Sequence, residues 1–189
     1  ELYEKVFKAY SDLLDKDNPE IFGIMADIAD TDSALGNSDS AINIYNKIIQ
    51  NLENTRGKDN ADLAIYYNNL ADIYEEIGIY YKAQPLYEKA LKINKNVFGE
   101  NHSRTGNSLN NLGLLLVNQG QYEEAKNYLE DALDIEEKIY GVDSPNLIHI
   151  LDNLSQVYYE LENYKLSRTL IDRAYKIARN NLSSNDPSF

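Results

Sequence analysis

The 189 residues carry 18 Lys and Arg against 31 Asp and Glu, a formal net charge of -13, which excludes a nucleic-acid backbone or an anionic membrane as the main partner, since both are gripped through clustered basic side chains. There is no cysteine, which removes disulfide frameworks and thiolate metal sites and suits a reducing, cytoplasmic compartment. No apolar run approaches the roughly 18 residues that span a bilayer. The first residue is Glu1 rather than Met, so a targeting segment upstream of it is left open. The acidic balance itself reads either as plain solubility or as a charge-selective surface.

Only 4 Pro and 9 Gly interrupt the chain, which favours long helices. A period of 42 then organises it: residues 61–102 match residues 103–144 at 11 of 42 positions without a gap. Self-similarity at a fixed period marks a repeat architecture. The expected units are 19–60, 61–102, 103–144 and 145–186. Residues 1–18 align by the same period with the second half of a unit, as the second helix of a truncated preceding repeat. Residues 187–189, after the start signal Asp186-Pro187, begin a further one.

Taken in order, the predicted helices cover 20–35, 38–55, 61–77, 80–97, 103–119, 122–139, 145–161 and 164–181. Start signals recur every 42 residues at Asn18-Pro19, Asn60-Ala61, His102-Ser103 and Ser144-Pro145, each a capping side chain followed by Pro or a small residue in most cases. Glycines recur at 36, 78 and 120 and again at 57, 99 and 141, where a left-handed residue just past the last helical turn is needed. In the helix over 61–77, apolar residues fall three and four apart at Leu63, Tyr67, Leu70 and Ile73, one stripe facing a partner. Small residues repeat at 29, 71, 113 and 155, at 41, 83, 125 and 167, and at Ala90, Ala132 and Ala174. There two helix axes pass close, with Tyr45, Tyr87 and Tyr175 as candidates to fill the adjoining space.

The pattern Leu70, Ala71, Tyr74 in a first helix and Ala83, Tyr87, Ala90 in a second resembles the tetratricopeptide repeat. The ordinary unit has about 34 residues. The 42-residue length, the Asn68-Asn69-Leu70 run and linkers such as Gly99-Glu100-Asn101-His102-Ser103 are similar to the kinesin light chain class. The resemblance covers 19–186 and departs at Asp27-Ile28 and Asp32 in the first unit and at Glu162, which replaces Gly, in the fourth. It implies an all-α, right-handed superhelical solenoid of antiparallel hairpins whose first helices line a concave wall.

Little in the sequence supports catalysis. There are two histidines, His102 and His149, no phosphate-cradling glycine loop and no nucleophile motif. Acidic neighbours such as Glu136-Glu137 point about 100° apart on a helix and do not converge on a metal. The chain is therefore read as a non-enzyme without cofactor or metal.

On the wall implied by the resemblance, the first helices carry Asp72, Glu75, Glu76 and Asp152 and almost no Lys or Arg, with His149 and Tyr159 in the later units. The ladder Asn69, Asn111 and Asn153 recurs at one phase, with Asn68 and Asn110 one residue earlier, although Asn inside a helix costs about half a kcal/mol relative to Ala. In peptide-binding relatives such asparagines hold a ligand backbone; the alternative is that each satisfies a neighbouring helix. These residues are the candidate peptide-binding set. The function expected is a protein-interaction scaffold for a neutral or basic peptide or helix. Its rivals are a sensor or regulatory arm of a signalling protein with an ATPase or protease domain, and self-association through Leu2, Val6 and Phe7.

Overall fold

The computed structural model describes Lys5 and residues 19–185, with side chains as far as Asn181 in the last helix. Among these residues the structure is helical throughout: α1 (Pro19–Ala34), α2 (Ser38–Arg56), α3 (Ala61–Glu76), α4 (Tyr80–Phe98), α5 (Ser103–Asn118), α6 (Tyr122–Tyr140), α7 (Ile148–Glu160) and α8 (Tyr164–Asn185). The chain divides into two compact units at Val97 and Phe98. The partial hairpin expected over 1–18, the cap at Asn18 and the start signal at Asp186-Pro187 lie outside the described residues.

The periodic punctuation has a physical counterpart at each joint. Asn60 Oδ1, His102 Nδ1 and Ser144 Oγ accept from the backbone N–H two residues on, at 2.8, 3.1 and 3.3 Å, satisfying one of the orphan donors of a helix start. His102 is thus a cap; its ring also stacks on Phe98 at 4.7 Å. After Ser144 the chain first makes a 3-10 turn, Pro145–Leu147, rather than the α-turn expected from residue 145. Pro145 brings no N–H, and Leu147 N–H bonds back to Ser144 O at 3.1 Å, the tighter i to i+3 closure.

First helices stop alike. Gly36, Gly78 and Gly120 have φ of 81°, 74° and 73°, and their N–H groups and those that follow reach back into the last turn, as in Gly78 N–H to Glu75 O and Ile79 N–H to Tyr74 O. That doubled closure needs a left-handed residue. At the fourth joint Glu162 takes the same role with φ 58°, and its neighbour Asn163 repeats the bond to Tyr158 O at 2.8 Å. The glycines that end second helices differ: Gly57 and Gly141 combine positive φ with ψ of 164° and 157°, a region essentially reserved for glycine and not the left-handed helical one expected.

Within each unit the paired helices meet at the small residues. Ala29, Ala41, Ala71, Ala83, Ala125 and Ala132 are fully buried. At Gly113 even a methyl group is excluded, since a Cβ would lie 2.6 Å from Leu129 Cγ. Tyr45 and Tyr87 fill the space beside these contacts and are 0% and 1% exposed. Tyr175 does not: it is 64% exposed, and the residue that shares the phase of Tyr45 and Tyr87 in α8 is Ile171, itself 47% exposed. In unit 1 the core joins Ile21, Phe22, Ile48 and Leu52 to Leu63 and Tyr67. In unit 2, Leu147 and Leu151 of the third hairpin's successor pack with Ala174 and Ile177, and Leu133 lies against them.

Glu162 carries a Cβ in a conformation that costs an L-residue about 1–2 kcal/mol. Replacing it by Gly should raise stability by about 0.5–1 kcal/mol after the entropic loss of a freer unfolded chain, measured by urea unfolding.

Candidate functional site

The C-terminal halves of α1 and α3, the first helices of two successive hairpins, enclose a cleft of about 300 Å³ in unit 1, lined by Asp30, Ser33, Ala34, Asn69, Asp72, Ile73 and Glu76. Three of the seven lining residues are carboxylates, and neither helix has a basic residue in its last turn. The C-terminal ends of the two helix dipoles add partial negative charge to the same region.

The carboxylates are fixed from behind by buried phenols. A buried tyrosine hydroxyl demands a partner. Tyr45 Oη donates to Asp30 Oδ1 and itself accepts from Asn69 Nδ2 at 2.9 Å, so Asn69, Tyr45 and Asp30 form one chain of bonds along the cleft. Tyr87 repeats the arrangement, donating to Asp72 Oδ1 and lying 2.7 Å from Glu75 Oε2. Ser33 Oγ donates to Glu76 Oε2 at 3.3 Å, bridging α1 and α3. Burial, reinforced by the adjacent carboxylates, pushes both phenols above their ordinary range, so they stay donors at any physiological pH. Asp72 keeps an exposed face, yet the packing round its carboxyl holds the pKa above the usual carboxylate range. Glu75, Glu76 and Asp30 push the same way and the Tyr87 bond opposes them. The sequence signal for these pairs existed, a Tyr fifteen residues after an Asp in both units 19–60 and 61–102, but hairpin pairing is needed to read it.

The other candidate residues are scattered more widely. Asn68 Oδ1 is buried without a hydrogen-bond partner. In unit 2, Asn153 Nδ2 donates to Asn110 Oδ1 at 3.0 Å, and Asn110 is buried while Asn111 and Asn153 are half-buried. Asp152 is exposed, and its backbone carbonyl accepts from Ser155 Oγ. His149 is exposed at the start of α7, with its pKa lowered by partial burial. Tyr159 is exposed and meets Tyr164 edge-on at 5.4 Å. Asn69, Asp72 and Glu76 thus gather at one cleft, with Glu75 behind it on Tyr87. Among the described residues no group of three or more His, Cys, Asp and Glu is placed to hold a metal ion, and no helix is long and apolar enough to cross a membrane.

Unit 2 holds a further carboxylate, from the Glu136-Glu137 pair that the sequence sets aside as a metal site. Glu136 is 3% exposed and its Oε1 has no hydrogen-bond partner. It occupies space left by Gly106, where a Cβ would stand 2.7 Å from that oxygen. Burial pushes its pKa up.

Helical hairpins repeated at a fixed period, with capped first helices, define a helical-repeat protein. The tetratricopeptide-repeat model matches residues 62–137 and again 112–180, more than half of the chain, and the chain belongs to that family. Its members are generally protein-interaction scaffolds. The crystal structure of BtubC (BKLC) from P. vanneervenii is similar over 98% of this chain and 74% of its own, with a TM-score of 0.85 at 24% identity. A P. anserina protein described as a kinesin light chain with nearly identical TPR-like repeats covers 95% of this chain and 85% of its own, at 19% identity and TM-score 0.77. MamA aligns with TM-score 0.66 at 15% identity, over 96% of this chain and 91% of its own. At these identities the likeness speaks for the fold. No protein with a curated description matches the sequence.

Because the folded state penalises the ionised form of Glu136, that penalty is fully present above its raised folded pKa and vanishes below the unfolded value of 4.5. Glu136→Gln should therefore unfold at higher denaturant than the parent at pH 7–8, with the gap closing as pH falls towards 4. Urea titrations across that range check both the sign and the pH dependence.

Proposed function

We propose that the chain is a scaffold that holds a neutral or basic peptide, or a helix, of a protein partner along the wall made by its first helices. The observation that carries this reading is the cleft between α1 and α3, where Asp30, Asp72 and Glu76 converge on two helices that contain no Lys or Arg. Opposite charge on a ligand would be drawn to it, and like charge would be turned away. The Tyr45 and Tyr87 bonds hold two of these carboxylates in place before any ligand arrives, which lowers the ordering cost of binding. Asn69 offers an amide at the same cleft. In unit 2 the register puts Asn111 and Asn153 at the position of Asn69, with Asn110 and Asp152 one residue earlier, His149 four before Asn153 and Tyr159 six after it, and these are proposed as the ligand contacts of that unit. Acidic tails do not suit it, since the basic side chains they need are absent from α1 and α3.

Asp72→Asn, Glu75→Gln and Glu76→Gln together should weaken binding of a Lys-rich peptide by roughly 3- to 150-fold, as three partly exposed charges of about 0.2–1 kcal/mol each imply. The salt dependence should flatten, because exposed charge attraction is screened beyond about 8 Å at physiological ionic strength. Stability should hold, since an amide oxygen still accepts from Tyr87. Isothermal titration at two salt concentrations reads the effect. Tighter binding of an acidic than of a basic peptide to the parent chain would overturn the reading.

A further inference from the structure

The outward faces of α4 and α6, both internal to the run of repeats, carry opposite charge at equivalent positions. The inward side of α4 is docked through Ala83, Tyr87 and Ala90, while Lys82, Lys89 and Lys92 are exposed. Spacings of seven and three residues place these lysines within about 80° of one another round the helix, over about 15 Å of its length. The 42-residue register puts Glu124, Asp131 and Asp134 at the same three positions of α6, and all three are exposed. Each lysine of the stripe is thus matched by an acid. The inversion is confined to these two helices: α2 has Ser40, Lys47 and Gln50 there, and α8 has Leu166, Arg173 and Lys176.

The remaining charges of the two helices leave this match standing. Glu88 and its equivalent Glu130 are alike in sign, but both stand about 80° from the centre of the stripe. Lys95 has Glu137 as its equivalent, and Glu137 is already taken by Arg173. Lys126 and Lys138 have Gln84 and Asn96 as equivalents; each is paired within α6, Lys126 with Glu123 and Lys138 with Asp134. Exposed pairs of that kind are weak enough to be shared with a second partner. Lys82 and Lys89 lie over the rings of Tyr74 and Tyr67, each 5.1 Å from the ring centre, which holds their stems on the surface and leaves their charge in place.

We propose that the α4 face of one copy of this chain docks on the α6 face of a second copy. Two parallel helices bring equivalent positions face to face, so Lys82 meets Glu124, Lys89 meets Asp131 and Lys92 meets Asp134. The reversed direction aligns only two of the three, because the spacings of seven and three are then read in opposite order. Charge therefore selects the parallel arrangement. The two faces differ, so the contact is heterologous, the kind that grows into a ring or an open chain. It uses neither helix of the α1–α3 cleft.

Sedimentation equilibrium of the intact chain in about 0.15 M salt, where a screening length of about 8 Å damps the repulsion of the net charge but spares ion pairs in contact, should show association below about 1 mM protein. Lys82→Glu, Lys89→Glu and Lys92→Glu together should abolish it, and so should Glu124→Lys, Asp131→Lys and Asp134→Lys together. An equimolar mixture of the two triple variants should associate again, since each then offers the face the other lacks. Overall charge cannot produce that pattern, because the two sets of changes move the net charge of -13 in opposite directions. All six positions are exposed, so circular dichroism of the variants should match the parent. If either reversal unfolds the chain, Lys82→Gln, Lys89→Gln and Lys92→Gln together read the contact instead, with association weakened roughly 3- to 150-fold. A parent that stays monomeric to about 1 mM, triple variants that associate as the parent does, or folded reversal variants whose mixture stays monomeric would each overturn the proposal.

Discussion

Burying a phenol between two closely packed helices forces a partner onto its hydroxyl, and much of the unit 1 surface chemistry depends on that demand. Tyr45 and Tyr87 are buried because Ala29, Ala41, Ala71 and Ala83 let the helices approach. An unmet hydroxyl there would cost on the order of 1–3 kcal/mol. Asp30 and Asp72 supply the acceptors, and a carboxylate pinned by a core residue cannot swing away from the cleft it lines. Where the demand disappears, so does the acid: in unit 103–144 the tyrosine phase is held by Leu129 and the aspartate phase by Leu114. The acidic character of the first two hairpins and the mixed character of the third follow from whether the hairpin is closed by a hydrogen bond or by apolar packing alone.

The same column logic accounts for Glu136. The register pairs Phe22 with Leu52, Ala64 with Asn94 and Gly106 with Glu136, and all six lie within the interior. As the first-helix member shrinks, the second-helix member becomes polar. At Gly106 the vacated space is large enough for a carboxyl group, but not polar enough to satisfy Oε1. A buried ionised group without a partner is held at a cost, so this hairpin carries a local liability that packing elsewhere in unit 2 offsets.

Most of the fold was legible in the sequence because each hairpin repeats the same instructions: Asn60, His102 and Ser144 start first helices, Gly36, Gly78 and Gly120 stop them, and alanines mark the close contacts. A period conveys phase, and phase decides what is buried. It does not convey what a buried polar atom touches. The Tyr45–Asp30 and Tyr87–Asp72 bonds join residues on different helices and appear only once the hairpin is closed. Tyr175 was matched by residue type where the register selects Ile171, and in α8 both are exposed. The asparagine ladder was read as one feature, yet its members differ: Asn69 donates to Tyr45 and Asn153 to Asn110, so the local partner, not the common phase, determines what each amide is available to do.

The claim that the acidic cleft of unit 1 is the peptide site is the central one. Nuclear magnetic resonance mapping with a Lys-rich peptide tests it most directly, through the backbone amides of α1 and α3 and the side-chain amide of Asn69. The account predicts that the largest shifts fall on Ser33, Asn69, Asp72 and Glu76, grow with peptide to saturation and shrink with added salt. Shifts confined to α8 or to second helices, or none at all, would contradict it.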